Sequence, residues 1–183
     1  MSFVVIGTQH EFQGREAGFE GMLRALLDQR WIEPLTAIAE EFDEAIGDSS
    51  VAQRLAFERH LCWCNVDMTR REKQDAGILQ EQDERLERQK DGNTYRVPSD
   101  DVRENWWVEK LVRSCAGTTL VICGYLHFEP LVQKLGAKGH RVYDRRVYLS
   151  TVPTIVSAED RTSTSGTPGP SRSHLEAGSD SQR

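Results

Sequence analysis

Two apolar runs in this chain close on the same pattern, and they constrain the fold more than any other feature. Phe3-Val-Val-Ile-Gly7 is followed by Thr8-Gln9-His10, and Leu120-Val-Ile-Cys-Gly124 is followed by Tyr125-Leu126-His127. An unbroken apolar run ending in Gly is how a strand buried on both faces reads. Such strands belong to parallel sheets whose crossovers are helices. The segments between them fit this reading. Gly18 to Arg30 carries Phe19, Met22, Leu23, Leu26 and Leu27 at helical spacing. Ser49 or Ser50 can cap a helix through Arg59, and His60 to Val66 reads as a strand. Leu35 to Ala39 is ambiguous: a short strand, or the opening of a helix to Ile46.

Thr69 to Lys90 is charged, with Ile78, Leu79 and Leu86 as its few apolar positions. It reads as a solvated helix or helix pair that leans on something rather than forming a core, with a lid as the alternative. Ser99 is a suitable cap for a helix running to about Cys115, which Gly117 ends. Pro130 is placed in the first turn of a helix that stops near Gly136. His140 to Tyr143 and Arg146 to Leu149 predict a last strand or a hairpin. Strands alternating with helices give an α/β fold: a mostly parallel sheet with helices on both faces.

The 183 residues, 38% hydrophobic, suit a single small domain. Residues 1–156 are expected to fold. Residues 157–183 are rich in Ser, Thr, Gly and Pro with Leu175 alone, which predicts a disordered C-terminal tail. The formal charge of −6 gives no reason to expect a nucleic-acid or anionic-membrane partner. No stretch has the length of a membrane span, and Met1 to Gly7 is too short for a secretory signal, so a cytoplasmic location is expected. Cys62, Cys64, Cys115 and Cys123 are then expected as buried thiols rather than a metal or redox set.

In parallel sheets, ligands bind beyond the carboxyl ends of the strands. His10 and His127 each follow a strand-ending Gly by three residues, and Gly is expected to let the chain turn sharply there. Glu11 and Glu129 stand beside them. The run from Leu35 ends in Glu40 and Glu41, with Asp43 beyond, and the run from Leu61 ends in Asp67. If these strands are parallel neighbours, two imidazoles and several carboxylates meet at one edge. Two neutral His and a carboxylate suit a divalent metal ion with room for water and substrate. Without a metal, the same set suits acid–base hydrolysis, a His or Glu activating water. The plain structural alternative is a His hydrogen-bonded at each strand end.

These residues resemble the TraB/Tiki superfamily, which includes pheromone-shutdown, GumN-like, ChaN-like and erythromycin-esterase-like proteins. The likeness runs through Gly7-Thr-Gln-His10, Ala37-Ile-Ala-Glu-Glu41-Phe42, Val66-Asp67, Arg103-Glu-Asn105-Trp106-Trp107, Gly124-Tyr-Leu-His127 and Gly139-His-Arg-Val142. It departs where Glu104 splits the family's Arg–Asn pair, and the chain is shorter than most members. The resemblance implies a hydrolase, metal-dependent in some relatives, acting on a small-molecule or peptide substrate, or a binding or signalling module without turnover. It carries over His10, Glu41, Arg103 and His127 as site residues, the two His and Glu41 as metal ligands. Glu41 or Glu11 would handle the proton, and Arg103 would steady an oxyanion or a substrate carboxylate. The alternative for Arg103 is an ion pair with Asp100, Asp101 or Glu104 on its own helix. Asp67 is a weaker candidate, its alternative a helix cap with Thr69. Trp106 and Trp107 are expected mainly to pack. The exposed 69–90 helix offers a surface for a copy of itself.

Overall fold

The computed structural model describes residues 1–15, 17–31, 33–42, 49–89 and 95–148. The order of elements is β1 (Ser2–Thr8), α1 (His10–Arg15), α2 (Ala17–Asp28), β2 (Leu35–Glu40), α3 (Val51–Glu58), β3 (Cys62–Asn65), α4 (Arg70–Asp75), α5 (Leu79–Gln89), α6 (Pro98–Ser114), β4 (Thr118–Gly124), α7 (Tyr125–Ala137) and β5 (Arg141–Tyr148). Among these residues the strands form one five-stranded sheet in the order β3-β2-β4-β1-β5, and every pairing is parallel. The expected α/β architecture is therefore present.

Both faces of the sheet are apolar because both are covered. Val4, Ile6, Ile38, Leu120 and Ile122 pack against Phe19, Leu23 and Leu26 of α2 and Val51, Leu55 and Ala56 of α3. Phe3, Val5, Ala37, Ala39, Val121 and Cys123 pack against Trp107, Val108 and Leu111 of α6 and Phe128, Leu131 and Leu135 of α7. Successive side chains on a strand point to opposite faces, so a strand covered twice reads as a continuous apolar run. The helices change face where the chain changes direction. The chain moves outward from β1 to β2 and β3 through α2 and α3, then returns through α6 to insert β4 between β2 and β1. That reversal is where open α/β sheets form a crevice.

Three open alternatives are decided, and other local expectations are corrected. The ambiguous run from Leu35 is a strand, paired with β3 and β4. The 69–90 segment is a helix pair, started by Thr69, whose hydroxyl accepts from Glu72 N while the Glu72 carboxylate accepts from Thr69 N. Ser99 is not the cap of α6. Pro98 occupies the first helical position, and the Asp100 carboxylate reaches back to accept from Val97 N at 3.0 Å. The helix after β4 begins at Tyr125, so Pro130 lies in its second turn rather than its first. The closing segment is one strand parallel to β1, not a hairpin. Cys115 and Cys123 are buried and Cys64 is half-buried, but Cys62, on the outermost strand, is exposed; all four are free thiols. Residues 149–183 lie outside the described residues, as does Asp43.

Candidate functional site

The carboxyl ends of four neighbouring strands supply the site. Thr8 of β1 sits opposite Gly124 of β4, and Glu40 of β2 opposite Ile122 of β4 and Asn65 of β3. The residues just beyond these ends therefore converge: His10, Glu41, Asp67 and His127. Glu41 is at the centre. Its Oε1 lies 3.6 Å from His10 Nε2 and 3.8 Å from His127 Nε2. Its Oε2 accepts from Gly124 N at 2.7 Å. Both imidazoles thus face one carboxylate oxygen. Neither His stands on a loop: each occupies the first turn of a helix, α1 or α7.

The two glycines serve by being small, not by bending the chain. Neither Gly7 nor Gly124 has a positive φ, and both lie within strands. A Cβ on Gly124 would come within 2.8 Å of His10 Nε2, and one on Gly7 within 2.7 Å of Phe128 Cβ. Each strand end leaves room for a side chain of the other unit: Gly124 for His10, and Gly7 for Phe128, which follows His127.

Arg103, from α6, enters this cluster and is 3% exposed. Nη2 donates to Glu41 Oε1 at 2.6 Å and to Asp67 Oδ1 at 2.8 Å, and Nε donates to Asp67 Oδ1 at 3.1 Å. Nη1 donates to Gln82 Oε1 at 3.3 Å and faces His127 Nε2 at 3.4 Å. All three guanidinium nitrogens are engaged. The main partners come from beyond β2 and β3, not from its own helix, where only Asp100 approaches, at 3.8 Å. Asp101 pairs with Lys134, and Glu104 pairs with Arg96. Asp67 is a full member of the site rather than a cap, since it also accepts from Trp107 Nε1 at 3.2 Å and Lys73 Nζ at 2.9 Å. Trp107 packs in the core and turns its edge to His127, ring centres 4.8 Å apart. Trp106 is partly buried against the same cluster.

Burial alone would raise the Glu41 carboxyl, but His10, His127, Arg103 and the Gly124 N–H outweigh it and hold the group well below the usual carboxylate range. Burial likewise works against the Arg103 charge, and Glu41 and Asp67 more than offset it, pushing its pKa up. Glu40, the neighbour on β2, points to the opposite face. It is 0% exposed, and its Oε2 accepts from Ser50 Oγ and from Trp63 Nε1 at 3.0 Å. Burial dominates there, and its pKa is pushed up to about 7 against the pull of Ser50, Trp63 and His10.

Sequence reasoning did not place four contributors. Glu104, read as an interruption of a motif or an ion-pair partner of Arg103, accepts from His127 Nδ1 at 2.9 Å. Gln13 of α1 faces His10 Nδ1 through its Oε1 at 2.9 Å. Gln82 and Arg85 of α5 are buried over the site. Gln82 Nε2 donates to Asp100 at 3.1 Å, and Arg85 Nη1 donates to the same oxygen at 2.7 Å. The helix pair α4–α5 therefore leans on the site and covers its charges. Helical spacing was the available signal for Glu104: it lies one turn before Val108, beside Arg103 and Trp107. Glu11 and Glu129 are exposed. A groove of about 820 Å³ on α4–α5, lined by Arg70, Gln80, Asp83 and Arg88, shares none of the site residues.

The expected metal ligands converge, and the donor atoms of Glu41 and His127 are already engaged, while His10 Nε2 faces solvent. Both Glu41 oxygens accept hydrogen bonds, and His127 faces Glu104 through one nitrogen and Arg103 through the other. The cation between Glu41 and His127 is a guanidinium, and a second cation there would meet its charge. Among the described residues, no three His, Cys, Asp or Glu are arranged to hold a metal ion. Arg103 occupies the place between Glu41 and His127. Among the described residues, no helix is long and apolar enough to cross a membrane. No family model, curated protein or solved structure matches the chain, so a functional reading has to rest on this geometry.

Proposed function

We propose that the chain is a hydrolase that works by acid–base chemistry on a small-molecule or peptide carbonyl, with His10 as the general base. The observation that carries this reading is the pairing of a solvent-facing imidazole with a sealed carboxylate. The His10 side chain is 41% exposed, while that of Glu41, 3.6 Å from its Nε2, is 3% exposed. Gln13 Oε1 accepts the Nδ1 hydrogen, so Nε2 presents its lone pair. A water at that nitrogen gives up a proton as its oxygen attacks the carbonyl carbon, and the neighbouring Glu41 carboxylate stabilises the imidazolium that forms. His10 then returns the proton to the leaving group. Arg103 acts on Glu41 and is not free to clamp a substrate carboxylate. The TraB/Tiki resemblance supports the same four residues, and the scheme adds Gln13 and a water to them.

The test is turnover of a panel of p-nitrophenyl acyl esters and fluorogenic peptides by the full chain, with metal content measured on protein purified without chelator. Turnover that falls about a hundredfold or more in His10→Ala, by protein free of stoichiometric metal, is expected. Turnover that survives in His10→Ala overturns the assignment of His10. A stoichiometric metal lost with His10 and His127 overturns the metal-free scheme.

One observation favours a second reading. Arg103 and His127 are each 3% exposed or less, with every donor paired, as in a structural hub of a binding module. Absence of turnover across the whole panel would favour that reading.

A further inference from the structure

Pro130 has no N–H, so the carbonyl four residues before it, Leu126 O, loses its helical partner. That oxygen accepts instead from Arg96 Nη1 at 3.0 Å. The same guanidinium clamps both oxygens of Glu104, with Nη2 at 3.1 Å from Oε2 and Nη1 on Oε1. Glu104 is 0% exposed, and its Oε1 lies 2.9 Å from His127 Nδ1. An ionised carboxylate can only accept, so the ring hydrogen must be on Nδ1. His127 Nε2 is then a lone pair, and it faces the Nη1 donor of Arg103.

We propose that Glu104, held by Arg96, is a positioning residue that fixes His127 in the Nδ1–H tautomer and so orients the Arg103 guanidinium toward Glu41. The alternative tautomer would set an Nε2 hydrogen against an Arg103 hydrogen and leave Glu104 facing a lone pair. Both contacts would turn repulsive, and the guanidinium would have to move off Glu41. The proline in α7 is what frees a carbonyl to anchor the arginine. The assignment concerns the same site as the hydrolase reading, but its readout does not need turnover, so the two can fail separately.

The experiment is two-dimensional long-range ¹H–¹⁵N NMR of the full chain, which reports which ring nitrogen of His127 carries the hydrogen. The expected result is a single Nδ1–H tautomer in the wild type. Glu104→Ala should give a mixture with an Nε2–H signal. Glu104→Gln should retain more of the wild-type tautomer than Glu104→Ala, because its amide oxygen at the Oε1 position still receives the His127 hydrogen, although its NH2 then meets the Arg96 Nη2 donor. Arg96→Met should also give a mixture. Adding Pro130→Ala to it should restore helix stability, through the new N–H to Leu126 O, without restoring the tautomer. A wild-type Nε2–H tautomer overturns the proposal even if no variant folds. So does an unchanged His127 signal in folded Glu104→Ala.

Discussion

Replacing Glu40 by Gln should change the pH dependence of stability in a defined window. The glutamate is fully buried, and burial pushes its pKa from 4.5 up to about 7. In the unfolded chain it ionises near its ordinary value, while in the fold it keeps its proton. The sign follows from that difference. Below about pH 4.5 both states hold the proton and the fold gains its full stability from this group. As pH rises toward 7, only the unfolded state releases the proton, and stability falls. Above about pH 7 the loss is complete. At about 1.4 kcal/mol per pH unit, the interval from 4.5 to about 7 amounts to about 3 kcal/mol. Gln removes the titration yet keeps an oxygen to accept from Ser50 and Trp63, which both bond to Oε2. Urea denaturation of both proteins from pH 4 to 8 should give curves that diverge across the window, Glu40→Gln being more stable by about 3 kcal/mol at pH 8 relative to pH 4. The difference between the two proteins isolates Glu40 from every other titrating group. Parallel curves would show that folding leaves the Glu40 pKa at its ordinary value and would refute the reasoning.

Four further outcomes are expected. Gly7→Ala should cost about 1–3 kcal/mol in chemical denaturation, because the atom it meets, Phe128 Cβ, is fixed to the backbone. Gly124→Ala should leave stability closer to wild type and instead displace His10, whose ring end can swing aside, read as a changed His10 NMR signal. Arg85→Met removes the nearer ion-pair partner of the buried Asp100 and should speed amide exchange across residues 79–89 by roughly a hundredfold, while the sheet strands exchange as before. Arg103→Met removes the charge shared by Glu41 and Asp67, and should destabilise the fold by about 3–5 kcal/mol in thermal or urea melts.

The fold was readable wherever burial and periodicity agreed. β1 and β4 announced themselves because both faces of each strand are covered, and α2 because its apolar residues share one face. β2 was ambiguous since Leu35 to Ala39 holds two small alanines, and strand pairing decides such a run only in three dimensions. The start of α7 was misplaced because Pro130 usually marks a first turn; here Arg96, thirty residues away in sequence, satisfies the carbonyl that proline orphans. The same limit applies to the site. His10, Glu41 and His127 were found from strand ends, which sequence order predicts. Glu104, Gln13, Gln82 and Arg85 contribute through helix faces, and which face meets the site depends on how each helix is laid across the sheet. Arg103 was identified, but as a group open to substrate. That its donors are all taken follows from Asp67, Gln82 and Glu41 arriving from three separate elements.

That last arrangement has a kinetic consequence. Arg103 bonds to groups 62, 36 and 21 residues away in the chain, so no short stretch can assemble its surroundings alone. Stripping water from a guanidinium before those groups arrive is costly, which puts closure of the hub after the strands have docked. Weakening it should therefore hasten unfolding while leaving the refolding rate nearly as it was, and the lifetime of the native state becomes a property of this one cation.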